Sequence, residues 1–259
     1  MTYDLLYVNG DSFAAGHNLA NKYLFPESDY FKTEFTKHNG AHSSLVRKIE
    51  SHISKSKIPI EEIVEKEKQL TFAALVNKKI GIDYLNSARR GSGIQEICYS
   101  TLLDLEKLRQ TRDITKTFVI VFLTSMFRNI IPDNLDGRNF STILPGHRDY
   151  KNKSVKNYIK YFYTTADNDF HALSAWSALS ALEKYFQDHN IKYAFFDSYM
   201  YSESITENNL DRKLFPTANE VIDNWYGKEE KILLYCNHFN EKVHNDIADN
   251  VIEKYLNWK

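Results

Sequence analysis

Short apolar runs alternate with amphipathic segments along most of the chain. The apolar runs predict strands at residues 4–8, 82–86, 118–123 and 192–197. Helical spacing of apolar residues predicts helices at residues 43–53, 64–79, 94–108 and 240–256. The alternation of strands with helices predicts an α/β fold, a doubly wound parallel sheet with helices on both faces and with the first strand central.

One further stripe at helical spacing is predicted to face the core. It comprises Phe170, Leu173, Trp176, Leu179, Leu182 and Phe186. No internal repeat and no Pro/Gly-rich linker interrupts the chain, so we expect a single domain over residues 1–259. Polar, irregular segments near 17–60, 129–155 and 198–230 are predicted to be insertions that cover the crevice and set specificity.

Charge and cysteine content narrow the classes of function. A formal net charge of -1 gives no electrostatic support for nucleic-acid binding. No run approaches the ~18 apolar residues of a membrane span. Cys98 and Cys236 are the two cysteines, which argues against a disulfide framework and a cysteine-rich zinc site. With no signal-peptide pattern at the start of the sequence, we expect a cytoplasmic protein.

A polar turn, Asn9-Gly10-Asp11-Ser12, follows the first predicted strand. Because the carboxyl ends of parallel strands form the ligand crevice, Ser12 would stand at the mouth of a pocket. Backbone N–H groups at a helix start stabilise an oxyanion there. The turn alone favours a helix cap and a nucleophile about equally.

A serine nucleophile needs a base, usually histidine. His238 precedes the last predicted helix and is placed to reach the end of the first strand, while His244 lies within that helix. Five histidines fall in polar segments and are expected to be solvated: His17, His38, His42, His52 and His147.

Three segments together resemble the SGNH (GDSL-like) hydrolases. They are Gly10-Asp11-Ser12-Phe13, Asn86-Ser87-Ala88-Arg89-Arg90-Gly91-Ser92, and His238-Phe239-Asn240 with His244 and Ala248. The resemblance implies a flavodoxin-like fold and serine-dependent ester hydrolysis without metal or cofactor. It also implies that Ser12 is the nucleophile, His238 the base, and the N–H groups of Ser12 and Gly91 oxyanion donors.

Two positions depart from the family pattern. Where the family has an oxyanion asparagine after the central strand, this chain has Thr124-Ser125-Met126-Phe127-Arg128, which resembles the divergent, phage-type members of the family. Ser125 or Arg128 is the candidate third donor, and both are candidate substrate-binding residues. Where the family has the triad aspartate, this chain has Tyr235. We therefore expect a Ser12–His238 dyad of low turnover, unless Asp223 or Glu241 supplies the carboxylate.

Three functions stay open on the sequence. The first is an esterase or deacylase acting on a small-molecule or glycan acyl ester, and the second is an acyltransferase in the same fold. The third is a catalytically weakened binding module that uses the same crevice, which the missing aspartate and asparagine favour. No membrane or nucleic-acid partner is predicted, and the oligomeric state is open.

Overall fold

The computed structural model describes residues 3–25, 34–36, 51–132, 140–143, 153–197, 218–222, 232–234 and 238–256. The strands are β1 (Leu5–Asn9), β2 (Glu34–Thr36), β3 (Asp83–Asn86), β4 (Thr117–Leu123), β5 (Asn129–Pro132), β6 (Phe140–Ile143), β7 (Lys192–Asp197), β8 (Glu220–Val221) and β9 (Ile232–Leu234). The helices are α1 (Asn21–Leu24), α2 (Ile60–Lys68), α3 (Phe72–Ile80), α4 (Ile94–Arg109), α5 (Lys153–Thr165), α6 (Asn168–Asp188) and α7 (Glu241–Val251).

Five parallel strands form the main sheet in the order β3-β1-β4-β7-β8. Counted along the chain within this sheet, the order is 2-1-3-4-5, which is the flavodoxin-like doubly wound arrangement. The four predicted strands are therefore parallel neighbours. The prediction that the first strand is central is wrong, because the middle place belongs to β4. All seven residues of β4 are buried, which explains its continuous apolar sequence.

Helices cover both faces of this sheet. Alternate residues of a strand point to opposite faces, so Leu6 and Val8 join one core cluster and Tyr7 joins the other. The first cluster takes its helical residues from α3 and α7, and the second takes them from α4 and α6. The predicted layer arrangement is thus confirmed.

The segment predicted as one helix at 64–79 is two helices. The chain breaks at Thr71, whose backbone is extended and whose hydroxyl donates to the carbonyl of Lys68 at 2.8 Å. The turn that follows β1 packs on this break, because a Cβ on Gly16 would lie 2.7 Å from Cγ2 of Thr71. The break therefore makes room for the turn that carries Ser12.

The apolar stripe of α6 is core-facing in its second half only. Leu179, Leu182 and Phe186 are buried, whereas Phe170 and Leu173 are 48% and 58% exposed, and Trp176 is also exposed. Residues three apart fall about 60° short of a full helical turn, so the three steps from Phe170 to Leu179 move the stripe by about 180° around the helix. His171, Ala172 and Ala175 take the buried positions of the first half instead.

The segments predicted to be irregular insertions contain short strands. β2 pairs antiparallel with β9, β5 pairs antiparallel with β6, and β8 extends the main sheet. Of the helix predicted at 43–53, residues 51–53 are helical and 43–50 lie outside the described residues. Among the helices of the described ranges, none has the length and apolar character needed to cross a membrane.

Candidate active site

The carboxyl ends of β1 and β4 lie side by side at the point where the strand order reverses. In doubly wound sheets, ligands bind in the crevice at this point. β1 leads directly into Asp11 and Ser12, and β4 leads into Thr124 and Ser125. The sheet topology therefore brings both predicted polar segments to one edge.

Ser12 stands on a tight turn pinned against β4. The N–H of Phe13 donates to Oδ1 of Asp11 at 3.1 Å, and the N–H of His17 donates to the carbonyl of Ser12 at 3.0 Å. A Cβ on Gly10 would lie 2.5 Å from Cβ of Phe122, so this approach to β4 needs glycine. Ser12 is thereby held in place with 7% of its surface exposed.

His238 faces Ser12 directly. Its Nε2 lies 2.8 Å from Oγ of Ser12, its carbonyl accepts from the N–H of Leu234 at 2.7 Å, and its ring packs against Phe13 at 4.9 Å between centroids. With the ring proton on Nδ1, Nε2 accepts the proton of the serine hydroxyl. The structure thus brings the predicted nucleophile and base together, while their roles in catalysis stay a prediction.

His17 is a second histidine at this site, and the expectation that it is solvated is wrong. Its ring meets that of His238 edge-on, at 4.7 Å between centroids and 89° between planes. Burial, together with the smaller effects of the charges of His238 and Arg90, lowers the pKa of His17 to about 2. Within the described chain, its buried Nδ1 has no hydrogen-bond partner. A neutral imidazole therefore borders His238 at physiological pH.

His244 serves the fold rather than Ser12. It is 1% exposed, and its Nδ1 accepts a hydrogen bond from the N–H of Phe72, the first residue of α3, at 3.2 Å. Burial lowers the pKa of His244 to about 3, with a smaller contribution from the charge of His238. The ring is therefore neutral and caps α3.

Asp11, beside Ser12, is the centre of a buried polar network that the sequence analysis missed. Nη1 of Arg128 donates to Oδ2 of Asp11 at 3.0 Å and to the carbonyl of Ser92 at 3.2 Å, and Oγ1 of Thr124 donates to the same Oδ2 at 2.9 Å. Burial raises the pKa of Asp11, and the Arg128 guanidinium opposes this. Arg128 was predicted to bind substrate, and the structure places it in this network. The network ties the ends of β1 and β4 to the loop before α4.

Ser125 and Gly91 occupy the two loops where further oxyanion donors were predicted. Ser125 is 9% exposed, and its Oγ accepts from the N–H of Phe127 at 3.3 Å. Gly91 is exposed at φ +77°, on a loop tied to β1 by the bond from the N–H of Arg89 to the carbonyl of Gly10 at 3.0 Å. In the part of the chain that the structure describes, no hydrogen bond joins Gly91 to Ser12.

The carboxylate expected to replace the triad aspartate is not found at Glu241. Its two oxygens accept from Nζ of Lys22, at 2.8 Å, and from the hydroxyl of Tyr23. The other residues considered for this position, Asp223 and Tyr235, lie outside the described residues, as does Cys236. Cys98 is a free, buried thiol whose pKa is raised by burial.

Comparison with known proteins finds no matching family model and no matching curated protein. Among solved structures, a carbohydrate esterase whose active site "displays divergent catalytic and non-catalytic binding functions" is 14% identical, with a TM-score of 0.46. That alignment covers all of this chain but 66% of the esterase, so the chain spans about two thirds of its length.

Two further solved structures are similar to the chain. A carbohydrate esterase family 2 enzyme with a carbohydrate-binding domain, from Corynascus thermopiles (Myceliophthora fergusii), is 12% identical, with a TM-score of 0.48, over 98% of this chain and 67% of that one. A putative lipolytic protein of the G-D-S-L family from Desulfitobacterium hafniense is 9% identical, with a TM-score of 0.38, over 96% and 98%. The mixed α/β architecture of the chain, with its central parallel sheet between helices, is established by the strand order of the structure itself.

Proposed function

We propose that the protein is an SGNH-type serine hydrolase that cleaves an acyl ester, with Ser12 as nucleophile and His238 as general base. The observation that carries the proposal is the 2.8 Å separation of Ser12 Oγ and His238 Nε2 at the carboxyl edge of the sheet. A serine that only capped a helix would need no imidazole at hydrogen-bond distance.

The reaction runs in two steps on these residues. Nε2 of His238 takes the hydroxyl proton as Oγ of Ser12 attacks the ester carbonyl, and the imidazolium then protonates the leaving alcohol. This leaves an acyl group on Ser12. A water molecule, deprotonated by His238, attacks the acyl carbon, and the proton returns to Ser12 as the acid is released.

The negative charge on the carbonyl oxygen is stabilised by the N–H groups of Ser12 and Gly91 and by the hydroxyl of Ser125. Such donors are worth roughly 10²–10³-fold each in kcat. Arg128 acts differently, because its guanidinium is held by Asp11 and Ser92 and fixes the walls of the site. All the groups that this scheme uses belong to the protein itself.

The substrate is proposed to be a small-molecule or glycan acyl ester, handled by a single cytoplasmic domain. Ser12 is 7% exposed, which leaves little of its surroundings open to a large polymer surface and favours a short acyl group.

The test is labelling with a fluorophosphonate probe, followed by hydrolysis of a panel of short acyl esters. Wild type should be labelled and should hydrolyse at least one ester. Ser12→Ala should be neither labelled nor active, and His238→Ala should react far more slowly. Ser177→Ala is the matched control, because Ser177 is exposed on α6 and its hydroxyl bonds only within the helix, to the carbonyl of Leu173. Equal behaviour of wild type and Ser12→Ala on the probe and on every ester would overturn the proposal in favour of a binding module.

A further inference from the structure

A groove runs beside the edge strand β3, next to the candidate active site. It has a volume of about 490 Å³, and its walls come from α2, the end of β3 and the loop that carries Gly91. Its charged lining residues are Glu67, Lys68, Arg89, Arg90 and Asp104. We refer to it as the β3 groove.

The carboxylates of the β3 groove are already bound by other groups. Glu67 is 1% exposed, and its two oxygens accept from the guanidinium of Arg90 and from the N–H of Asn18, the latter at 2.6 Å. At the other end, Asp104 accepts from the hydroxyl of Tyr7 at 3.0 Å and forms an ion pair with Lys107, at 3.9 Å. Neither carboxylate therefore has to be neutralised by the remaining cations of the groove.

Lys68 and Arg89 are those remaining cations. Lys68 is half-buried and Arg89 is exposed, and no acceptor in the described ranges pairs with either side chain. Arg90 is fixed by Glu67 between them and adds a third positive group to the wall. An anionic ligand group would meet three cations here, one of them already held in place, without displacing an existing ion pair.

The β3 groove is lined in part by the turn that carries Ser12 and by the loop that carries Gly91. Ala15, three residues after Ser12, lines it, and Arg90 directly precedes Gly91. The charge of Arg90 acts on His17, whose ring lies edge-on to His238. A substrate whose ester reaches Ser12 would therefore extend into this groove on the β3 side.

We propose that the β3 groove binds an anionic group of the substrate, a carboxylate or a phosphate, through Lys68 and Arg89. This rests on the proposed esterase function and makes the substrate an acyl ester of a negatively charged sugar or similar alcohol. The groove then sets specificity, while Ser12 and His238 carry out the chemistry.

Matched esters test this proposal. The substrates are mono-O-acetyl glucose, mono-O-acetyl glucuronate and mono-O-acetyl glucose 6-phosphate, which share the acetyl group and differ in the charge at one carbon. Wild type should have a higher kcat/KM on at least one anionic ester, and the ratio to the neutral ester should fall about three- to fivefold in Lys68→Gln and in Arg89→Gln. The matched control is Lys192→Gln, at an exposed lysine at the start of β7 that does not line the groove, which should keep the wild-type ratio.

A second readout separates this proposal from the esterase function. The dissociation constants of glucuronate and glucose 6-phosphate, which carry no ester, are measured by calorimetry on wild type, Lys68→Gln, Arg89→Gln and Lys192→Gln. Weaker binding in the two groove variants alone supports the anion site, even if no ester is cleaved. Ester hydrolysis without any preference for the anionic substrates, or a preference that the groove variants leave unchanged, overturns the anion site and leaves the esterase function standing.

Discussion

The ring of His17 stands perpendicular to that of His238, with 4.7 Å between their centroids. Phe13 packs on the same His238 ring at 4.9 Å, so two aromatic neighbours hold the imidazole whose Nε2 reaches Ser12. An aromatic ring in an edge-on contact restricts the orientation of its partner. His17 is therefore a positioning residue for His238.

Removing the His17 ring should lower the rate of reaction at Ser12. His17→Ala frees one side of His238, and we expect kcat and the rate of fluorophosphonate labelling to fall by about 10- to 100-fold, because small misplacements of a base are costly. His17→Phe keeps a ring at this position and should stay closer to wild type. The measurement is the labelling rate and kcat on a short acyl ester.

The pH profile gives the control for this prediction. Because the pKa of His17 is about 2, its protonation plays no part above pH 4. The acid limb of kcat/KM should thus keep the same shape in His17→Phe. A second ionisation that disappears from the acid limb of this variant would mean that His17 titrates in the working range and would contradict the positioning role.

Substitutions of Arg128 and Ser125 should differ in their effects on stability and on kcat, although both residues follow β4. Arg128→Met leaves the buried carboxylate of Asp11 without its guanidinium, and we expect a loss of about 3–5 kcal/mol in the free energy of unfolding. Ser125→Ala removes a proposed oxyanion donor, so we expect kcat to fall by about 10²–10³-fold with about 1 kcal/mol or less of destabilisation. Urea denaturation and steady-state kinetics measure the two quantities.

Thr124→Val is the intermediate case for this comparison. It removes one hydrogen bond to Asp11 but keeps the ion pair, so its destabilisation should be smaller than that of Arg128→Met. If instead Arg128→Met folds as stably as wild type and loses only activity, Arg128 belongs to the substrate-binding groups that the sequence first suggested.

The sequence predicted β4 well because residues 118–123 are apolar at every position, and β4 is buried on both faces. β7 was predictable from its apolar centre, Tyr193–Phe196, although Lys192 at its start is exposed. The order of the strands could not be predicted from the apolar pattern, since the strand in the middle is set by pairings between distant segments. The apolar stripe of α6 was predicted to face the core along its whole length. Residues such as Phe170 keep the spacing but lie off the buried face of the helix.

The residues of the candidate site could be predicted only where they belong to a recognisable sequence motif. Ser12 and His238 were found through the segments around them, and the fold brings them within hydrogen-bond distance. His17 was missed because a histidine in a polar stretch carries no signal of burial. The bond between Arg128 and Asp11 was missed because it joins residues 117 positions apart in sequence, on loops that meet only in the folded sheet.

The two glycines of the loop before α4 should differ in their tolerance of alanine. A Cβ on Gly93 would lie 2.6 Å from the carbonyl oxygen of Arg128, so Gly93→Ala must push apart the two loops that frame the site. A Cβ on Gly91 would meet nothing within 4 Å, but φ of +77° costs an alanine about 1–2 kcal/mol. We expect Gly93→Ala to be the more damaging in both stability and kcat, as measured by thermal unfolding and kinetics. Comparable thermal stability in the two variants would show that the loops yield and would refute the expected order.

The stability of the protein should fall as the pH drops below 6.5, partly because His244 is buried. In the folded state its pKa is lowered to about 3 by burial and by the charge of His238, while in the unfolded chain it returns to about 6.5. Between these values the unfolded state binds the extra proton. The contribution of His244 to stability is therefore present above pH 6.5 and is lost as the pH falls toward 3.

Replacing His244 should remove this part of the pH dependence. In His244→Asn, the amide oxygen still accepts from the N–H of Phe72, but the side chain no longer titrates. Between pH 7.5 and pH 5, wild type should lose about 2 kcal/mol more of its free energy of unfolding than the variant does. Urea denaturation at both pH values measures the difference, and the comparison cancels the carboxylates that both proteins share. His52→Asn, at an exposed histidine, is the control. Equal losses in wild type and His244→Asn would mean that the His244 ring is protonated in the folded protein, and Phe72 would then lack its cap.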